Sequence, residues 1–232
     1  MKNYVNIISA LALLASNAVS ARELDISITN LTQGIYFTPL LVAAHNSDTH
    51  LFKPGTTASA NLQAMAEGGN ISGLASDLAA VNANAVENPA TGLLVPGDTA
   101  TTIINTTAGN GYFSLVAMLL PTNDGFVGMD ALKLPTMPGT YTYHLNAYDA
   151  GTEANDEIVN GAGMPGAPGI PADPSGNNGT GATGVTTMEG NSMIHIHRGN
   201  IGDTDLTGGS SDLDSRIHRW LNPVAQLVIT IK

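Results

Sequence analysis

The stretch Tyr112-Phe113-Ser114-Leu115-Val116-Ala117-Met118-Leu119-Leu120 decides the fold class of this chain. Eight of its nine side chains are apolar or aromatic, and no charge interrupts them. A continuous apolar run of this length is typical of a strand that is buried on both faces. We therefore expect residues 112–120 to form a central strand.

Other segments on both sides of this run predict further strands. Apolar and polar residues alternate in Leu24–Asn30, Thr99–Asn105 and Thr140–Tyr148, which is the period of a half-buried strand. We also expect strands at Tyr36–Ala44, Met193–His197 and Pro223–Lys232. Together these segments predict an all-β protein, an eight-stranded antiparallel β-sandwich.

Two segments have the apolar spacing of short helices, and one segment has no periodicity. Ala58–Glu67 is followed by Gly68-Gly69 and predicts a helix, and Ser72–Ala85 predicts a second one. Gly161–Gly184 contains mainly glycine, proline, alanine and small polar residues. Since such a segment has little apolar surface to bury, we expect it to be a flexible, exposed insertion loop. We expect residues 22–232 to form one domain that contains this loop.

Residues 1–21 have the features of a signal peptide. Lys2 precedes the apolar core Ile7–Ala15, and Val19-Ser20-Ala21 fits a cleavage site for small residues. The short leader is typical of bacteria. Because no later stretch approaches ~18 uninterrupted apolar residues, we expect a mature chain without a transmembrane segment, either secreted, periplasmic or at the cell surface.

The composition excludes several classes of function. Seven basic residues face 19 acidic ones after removal of Lys2, which argues against nucleic acid and anionic membranes as partners. The chain has no cysteine, so disulfides, thiolate metal sites and cysteine catalysis are excluded. This balance favours cations or cationic surfaces as partners.

Acidic residues are concentrated in two predicted loops. Residues 149–157 contain four carboxylates, and a predicted turn over Asn123–Asp130 contains two more. Lys133 is the only base between Asp124 and Glu157. Because crowded carboxylates repel one another, and calcium prefers oxygen ligands, the pattern indicates a calcium site.

Three segments of the chain resemble the spondin domain, the N-terminal module of F-spondin and mindin, which also occurs alone in exported bacterial proteins. The first comprises Thr38–His45, Leu51–Gly55 and Ala58–Gly68 with its Ala66-Glu67-Gly68. The second is Ser114–Gly128, and the third is Asp149–Glu153. Asn222–Ala225 fits as well.

This resemblance implies a sandwich similar to C2 domains and calcium bound by loops at one end. It also implies an adhesive or recognition role without enzyme activity, toward an unknown protein or glycan at the cell surface. Asp124, Asp149 and Glu153 match the acidic positions of the family motifs, and Glu153 replaces the aspartate usual in animal members. The chain lacks the usual cysteines and has Gly125 where the family has an aromatic residue. An animal-type receptor function therefore cannot be transferred.

Several alternative readings stay open. The acidic loops could be a solvated rim in which Asp149 only caps a turn. Asp203–Gly208, with Asp214 at the twelfth position, partly mimics a calcium loop, although an Asp/Gly turn also explains it. Asp149 with Glu153 could be posed as an acid/base pair, but nothing in the sequence marks one of them as protonated.

The histidines suggest an alternative function, a copper- or zinc-binding envelope protein. His195 and His197 lie two residues apart and would point to one face of a strand. His45, His50 or His218 could complete such a site. A polar strand face explains the pair equally well.

Overall fold

The computed structural model describes residues 21–176 and 178–232, which form ten strands and two α-helices. The elements are β1 Glu23–Asn30, β2 Tyr36–Phe37, β3 Leu41–His45, α1 Ala60–Gly68, α2 Ser72–Ala80, β4 Asn84–Glu87, β5 Thr99–Asn105, β6 Tyr112–Leu120, β7 Gly125–Lys133, β8 Gly139–Asp149, β9 His195–Ile196 and β10 Ala225–Ile231. Except for Ala21, the predicted signal peptide lies outside the described residues. Neither of the two helices has the length and apolar character needed to cross a bilayer.

Eight strands form one continuous antiparallel path, in the order β4-β3-β6-β7-β8-β10-β1-β5. The two-residue strands β2 and β9 pair beside this path, with β6 and β8 respectively. The all-β, antiparallel prediction is confirmed, and in the described residues the sheet has ten strands, eight of them on the continuous path.

Strand β6 separates two apolar cores, as its continuous apolar sequence predicts. Phe113, Leu115 and Leu119 face the larger core, which also contains the inward side chains of β1 and β10. Val116 and Met118 face the smaller core, which lies beneath α1 and α2. Each such buried side chain contributes roughly 1.5–3 kcal/mol, so β6 stabilises both layers.

The hairpin β7–β8 is paired only at its open end. Gly125–Gly128 pair with residues 146–149. Farther along, β7 stays beside β6, whereas Gly139–Leu145 of β8 pair with β10. The two strands therefore diverge after Gly128, and a groove opens between them.

Three sequence predictions need correction. The strand predicted at Tyr36–Ala44 is interrupted at Thr38–Leu40, where Thr38 accepts a hydrogen bond from the β6 backbone instead of continuing the strand. The helix predicted at Ser72–Ala85 ends at Ala80, because the chain then turns into β4. The turn predicted over Asn123–Asp130 is mostly strand β7, because pairing with β6 outweighs the turn propensity of its glycines.

The segment Gly161–Gly184 contains no helix or strand in its described part, residues 161–176 and 178–184. It is not exposed throughout, since Ile170 is fully buried and forms a parallel bridge with Val159. The Ile170 amide also donates to the Ile158 carbonyl at 2.7 Å. This part of the segment therefore packs next to the acidic loops.

Candidate functional site at the acidic loops

The ends of β7 and β8 bring two predicted site residues together. Gly125 and Asp149 are directly paired across the two strands. Asp124 immediately precedes this pair, and its carbonyl accepts from the Ala150 amide at 3.3 Å. Asp124 is fully buried and Asp149 nearly so. The register of the hairpin therefore fixes two carboxylates side by side.

One oxygen of Asp124 is bonded to the following loop, and the other has no partner. Asp124 Oδ2 accepts from the amides of Thr152 at 2.8 Å and Glu153 at 3.3 Å, and from the Thr152 hydroxyl at 3.1 Å. Asp124 Oδ1 is buried and unpartnered among the described residues. Burial, and secondarily the charge of Asp149, raises the pKa of Asp124 to about 7.

Asp149 is held by short-range contacts within its own loop. Its Oδ1 accepts from the Gly151 amide at 2.8 Å, and its Oδ2 accepts from the Asn155 side chain at 2.7 Å. Gly151 has φ of 69°, and an added Cβ would lie 2.6 Å from the Ser192 backbone. A glycine is therefore required where the loop turns back over Asp149.

Glu153 is half-buried and joins the acidic loop to the insertion. Its Oε2 accepts from the Gly169 amide at 2.8 Å and from the Asn123 side chain at 3.4 Å. Its Oε1 is buried without a partner in the described part of the chain. Burial raises the pKa of Glu153 to about 7, and the charges of Glu67 and Asp124 add to this effect.

Glu67 is a further buried acid that sequence reasoning did not assign to the site. It lies at the end of α1 and is fully buried. Its Oε1 accepts from Gln63 at 2.8 Å, and its Oε2 accepts from the Gly166 amide at 2.7 Å. The only signal in the sequence is its place within Ala66-Glu67-Gly68, since Glu67 shares a side of α1 with Gln63 and not with the apolar Leu62 and Met65.

The other acids of the two loops have different roles. Asp130 lies farther along β7, where it binds the backbone amides of Leu51 and Phe52. Asp156 accepts from the Asn123 side chain at 2.8 Å. Glu157 is buried and binds the segment after residue 200, not the site. Asn123, Asn155 and Asp156 are polar side chains that contact the acidic loops in this part of the chain.

The second acidic stretch is an Asp/Gly turn that uses its own backbone. Asp203 Oδ2 accepts from the amides of Ser210 at 2.8 Å and Ser211 at 3.0 Å. Its Oδ1 accepts from the Asp205 amide at 2.9 Å. These bonds explain the lowered pKa of Asp203, and they occupy the oxygens that a calcium loop would offer.

The two histidines of the alternative metal site are unequally placed. His195 is partly exposed, and its Nδ1 donates to the Met193 carbonyl at 2.8 Å. His197 is buried, and its Nδ1 accepts from the Gly199 amide at 2.9 Å. Burial lowers the pKa of His197 to about 4, so its ring is neutral, with the proton on Nε2. That nitrogen is buried and has no partner among the described residues.

The remaining candidate histidines are bonded elsewhere. His45 Nε2 lies 2.7 Å from the Ser114 hydroxyl, and His50 Nδ1 lies 2.6 Å from Asp130 Oδ2. His218 Nε2 lies 3.7 Å from Asp173. In residues 21–176 and 178–232, no group of three or more His, Asp and Glu side chains is arranged to hold a metal ion. A completed copper or zinc cage is therefore not preformed in this part of the chain.

The geometry defines an all-β domain with buried carboxylates at one end of a strand hairpin. The chain matches the spondin N-terminal domain (Spondin_N) over residues 29–159, more than half of its length, and so it belongs to the spondin domain family. The match begins in β1 and extends through the acidic loop after β8. No curated protein shows significant similarity to the chain. Spondin domains are a family of non-catalytic modules.

Proposed function

We propose that this protein is an exported recognition module, and that Asp124, Asp149 and Glu153 bind calcium at its acidic loops. The observation that supports this proposal best is the pair of buried carboxylate oxygens, Asp124 Oδ1 and Glu153 Oε1, that lack a partner among the described residues. A buried carboxylate oxygen without a hydrogen bond is costly unless a proton or a cation neutralises it.

Calcium suits this donor set better than a transition metal does. It accepts about six to eight oxygen ligands in flexible geometry, including backbone carbonyls and water. The three carboxylates supply only part of that shell, and they do not form a preformed cluster in the described residues. Binding would therefore draw the loop 150–157 toward Asp124, with loop carbonyls and water completing the shell.

The bound cation would give the loops one fixed shape. Without it, repulsion between Asp124, Asp149 and Glu153 opposes their close approach. With it, the rigid loop surface, or an open coordination position, would meet a protein or glycan at the cell surface. This is a recognition or adhesion role, in line with membership of a family of non-catalytic modules.

Calorimetric titration of the chelator-treated mature chain with calcium tests this proposal. We expect saturable binding in the wild type and at least a tenfold loss in Asp149→Asn, because one charged ligand is removed. Asp205→Asn is the matched control, since Asp205 belongs to the second acidic stretch. Flat heats in the wild type would contradict the proposal, as would equal affinities in Asp149→Asn and the wild type.

A further inference from the structure

A second site lies away from the acidic loops, where β7 and β8 diverge. The groove between them has a volume of about 510 Å³. Its walls are Gly128–Ala131 of β7 and His144–Tyr148 of β8, and the segment His50–Pro54 covers one side. Clefts of this size are typical of small-molecule sites.

The single acid in this groove is already satisfied by the protein. Asp130 Oδ1 accepts from the amides of Leu51 at 2.7 Å and Phe52 at 3.3 Å. Asp130 Oδ2 lies 2.6 Å from His50 Nδ1. Asp130 therefore fixes the covering segment, and both of its oxygens are bonded within the protein.

The other polar groups that line the groove are mainly donors. Lys53 and His144 are exposed, and Asn146 also lines the groove. The chain has only eight Lys and Arg residues against 19 acids. Lys53 therefore provides one cationic donor in the groove, and His144 provides a second polar group beside it, in a chain with few basic residues.

An aromatic surface completes the groove. The rings of Phe52 and Tyr148 have centroids 4.9 Å apart, and Tyr148 stacks on Phe126 at 5.6 Å. A Cβ on Gly128 would lie 2.7 Å from the Phe52 ring, so glycine lets this ring lie against β7. Tyr148 is partly exposed and lines the groove together with Lys53 and His144.

We propose that this groove binds an acidic sugar unit, with the sugar ring against Tyr148 and its carboxylate at Lys53 and His144. The C–H face of a pyranose ring covers an aromatic ring without losing its hydroxyl hydrogen bonds to water. The carboxylate accepts charge-assisted hydrogen bonds from the lysine. The site does not use Asp124, Asp149 or Glu153, and its occupation does not depend on calcium.

The test compares methyl β-D-glucuronide with methyl β-D-glucoside, which differ only in the carboxylate. Backbone amide resonances of the chelator-treated mature chain are followed by NMR during each titration. We expect saturable shifts at residues 128–131 and 144–148 with the glucuronide, and about tenfold weaker binding of the glucoside, the loss expected for one charge-assisted contact. A titration with a galacturonate hexamer tests whether the groove also binds an acidic sugar unit that is part of a polymer.

Variants distinguish the groove from a general attraction of anions. Lys53→Ala and His144→Ala change exposed side chains and should each weaken glucuronide binding by about tenfold. Lys133→Ala removes an exposed lysine of β7 outside the groove and should leave glucuronide binding unchanged.

Equal binding of glucoside and glucuronide would overturn the proposal. So would an unchanged affinity in Lys53→Ala, or the absence of saturable shifts with both the glucuronide and the hexamer. Asp149→Asn should bind the glucuronide normally, so failure of calcium binding is separable from failure here.

Discussion

At the residue scale, the raised pKa values of two buried carboxyls make the metal-free protein sensitive to pH. The ordinary pKa values are 3.8 for Asp124 and 4.5 for Glu153, and the fold raises both to about 7. Between about pH 4 and 7 the folded protein keeps protons that the unfolded chain has released. The free energy of unfolding therefore falls as the pH rises through this window.

Asp124→Asn should reduce that pH dependence. The amide oxygen can still accept from Thr152 and Glu153, while the titrating group is gone. One retained proton changes the free energy of unfolding by about 1.4 kcal/mol per pH unit, so the slope should decrease by up to this amount. Urea unfolding at pH 5 and pH 7.5 in the presence of a chelator measures it. An identical slope in the variant and the wild type would show that Asp124 ionises normally.

Glu157 is a second acid whose role belongs to this scale. It is buried with φ of 59°, and its two oxygens accept from the amides of Ile201 at 2.6 Å and Gly202 at 2.8 Å and from the Ser211 hydroxyl at 2.6 Å. Glu157→Ala leaves these donors without acceptors and should cost about 3 kcal/mol. Hydrogen exchange should accelerate at Ile201 and Gly202.

The control for Glu157 is Glu87→Ala, an exposed glutamate of the edge strand β4. Its loss should change the free energy of unfolding by less than about 0.5 kcal/mol. Equal effects of the two substitutions would contradict a specific role for Glu157 in fixing residues 201–211.

At the element scale, Ile170 anchors the insertion beside the acidic site. It is fully buried, and it neighbours Gly169, whose amide binds Glu153. Ile170→Ala should cost about 2–4 kcal/mol and expose residues 161–184 to proteolysis. Met164→Ala, at a position that is 76% exposed, is the matched control. Limited proteolysis with mass spectrometry locates the cuts, and equal resistance of the two variants would refute this anchoring role.

Local pattern predicted some elements well and others poorly, for physical reasons. The observed β5 and β6 have the predicted bounds, because alternation and a long apolar run depend only on neighbouring residues. The sequence predicts a turn at β7 because Gly125, Gly128 and Asp130 are turn formers, and pairing with β6 and β8 makes them a strand. The buried state of Glu67 depends on contact with Gly166, which is 99 residues away and has no local signature.

At the scale of the whole molecule, a net charge of −11 makes any cation stabilising, so the effect of calcium must be separated from screening. Sodium chloride should raise the melting temperature of the metal-free protein through screening alone. Calcium should raise it further than magnesium at equal ionic strength, because magnesium requires near-octahedral geometry and gives up water reluctantly. The double variant Asp124→Asn, Asp149→Asn should keep the salt effect and lose the difference between the two divalent ions. Differential scanning calorimetry measures each shift in melting temperature. Equal shifts with calcium and magnesium in the wild type would show that the acidic loops are a solvated surface without a calcium-selective site.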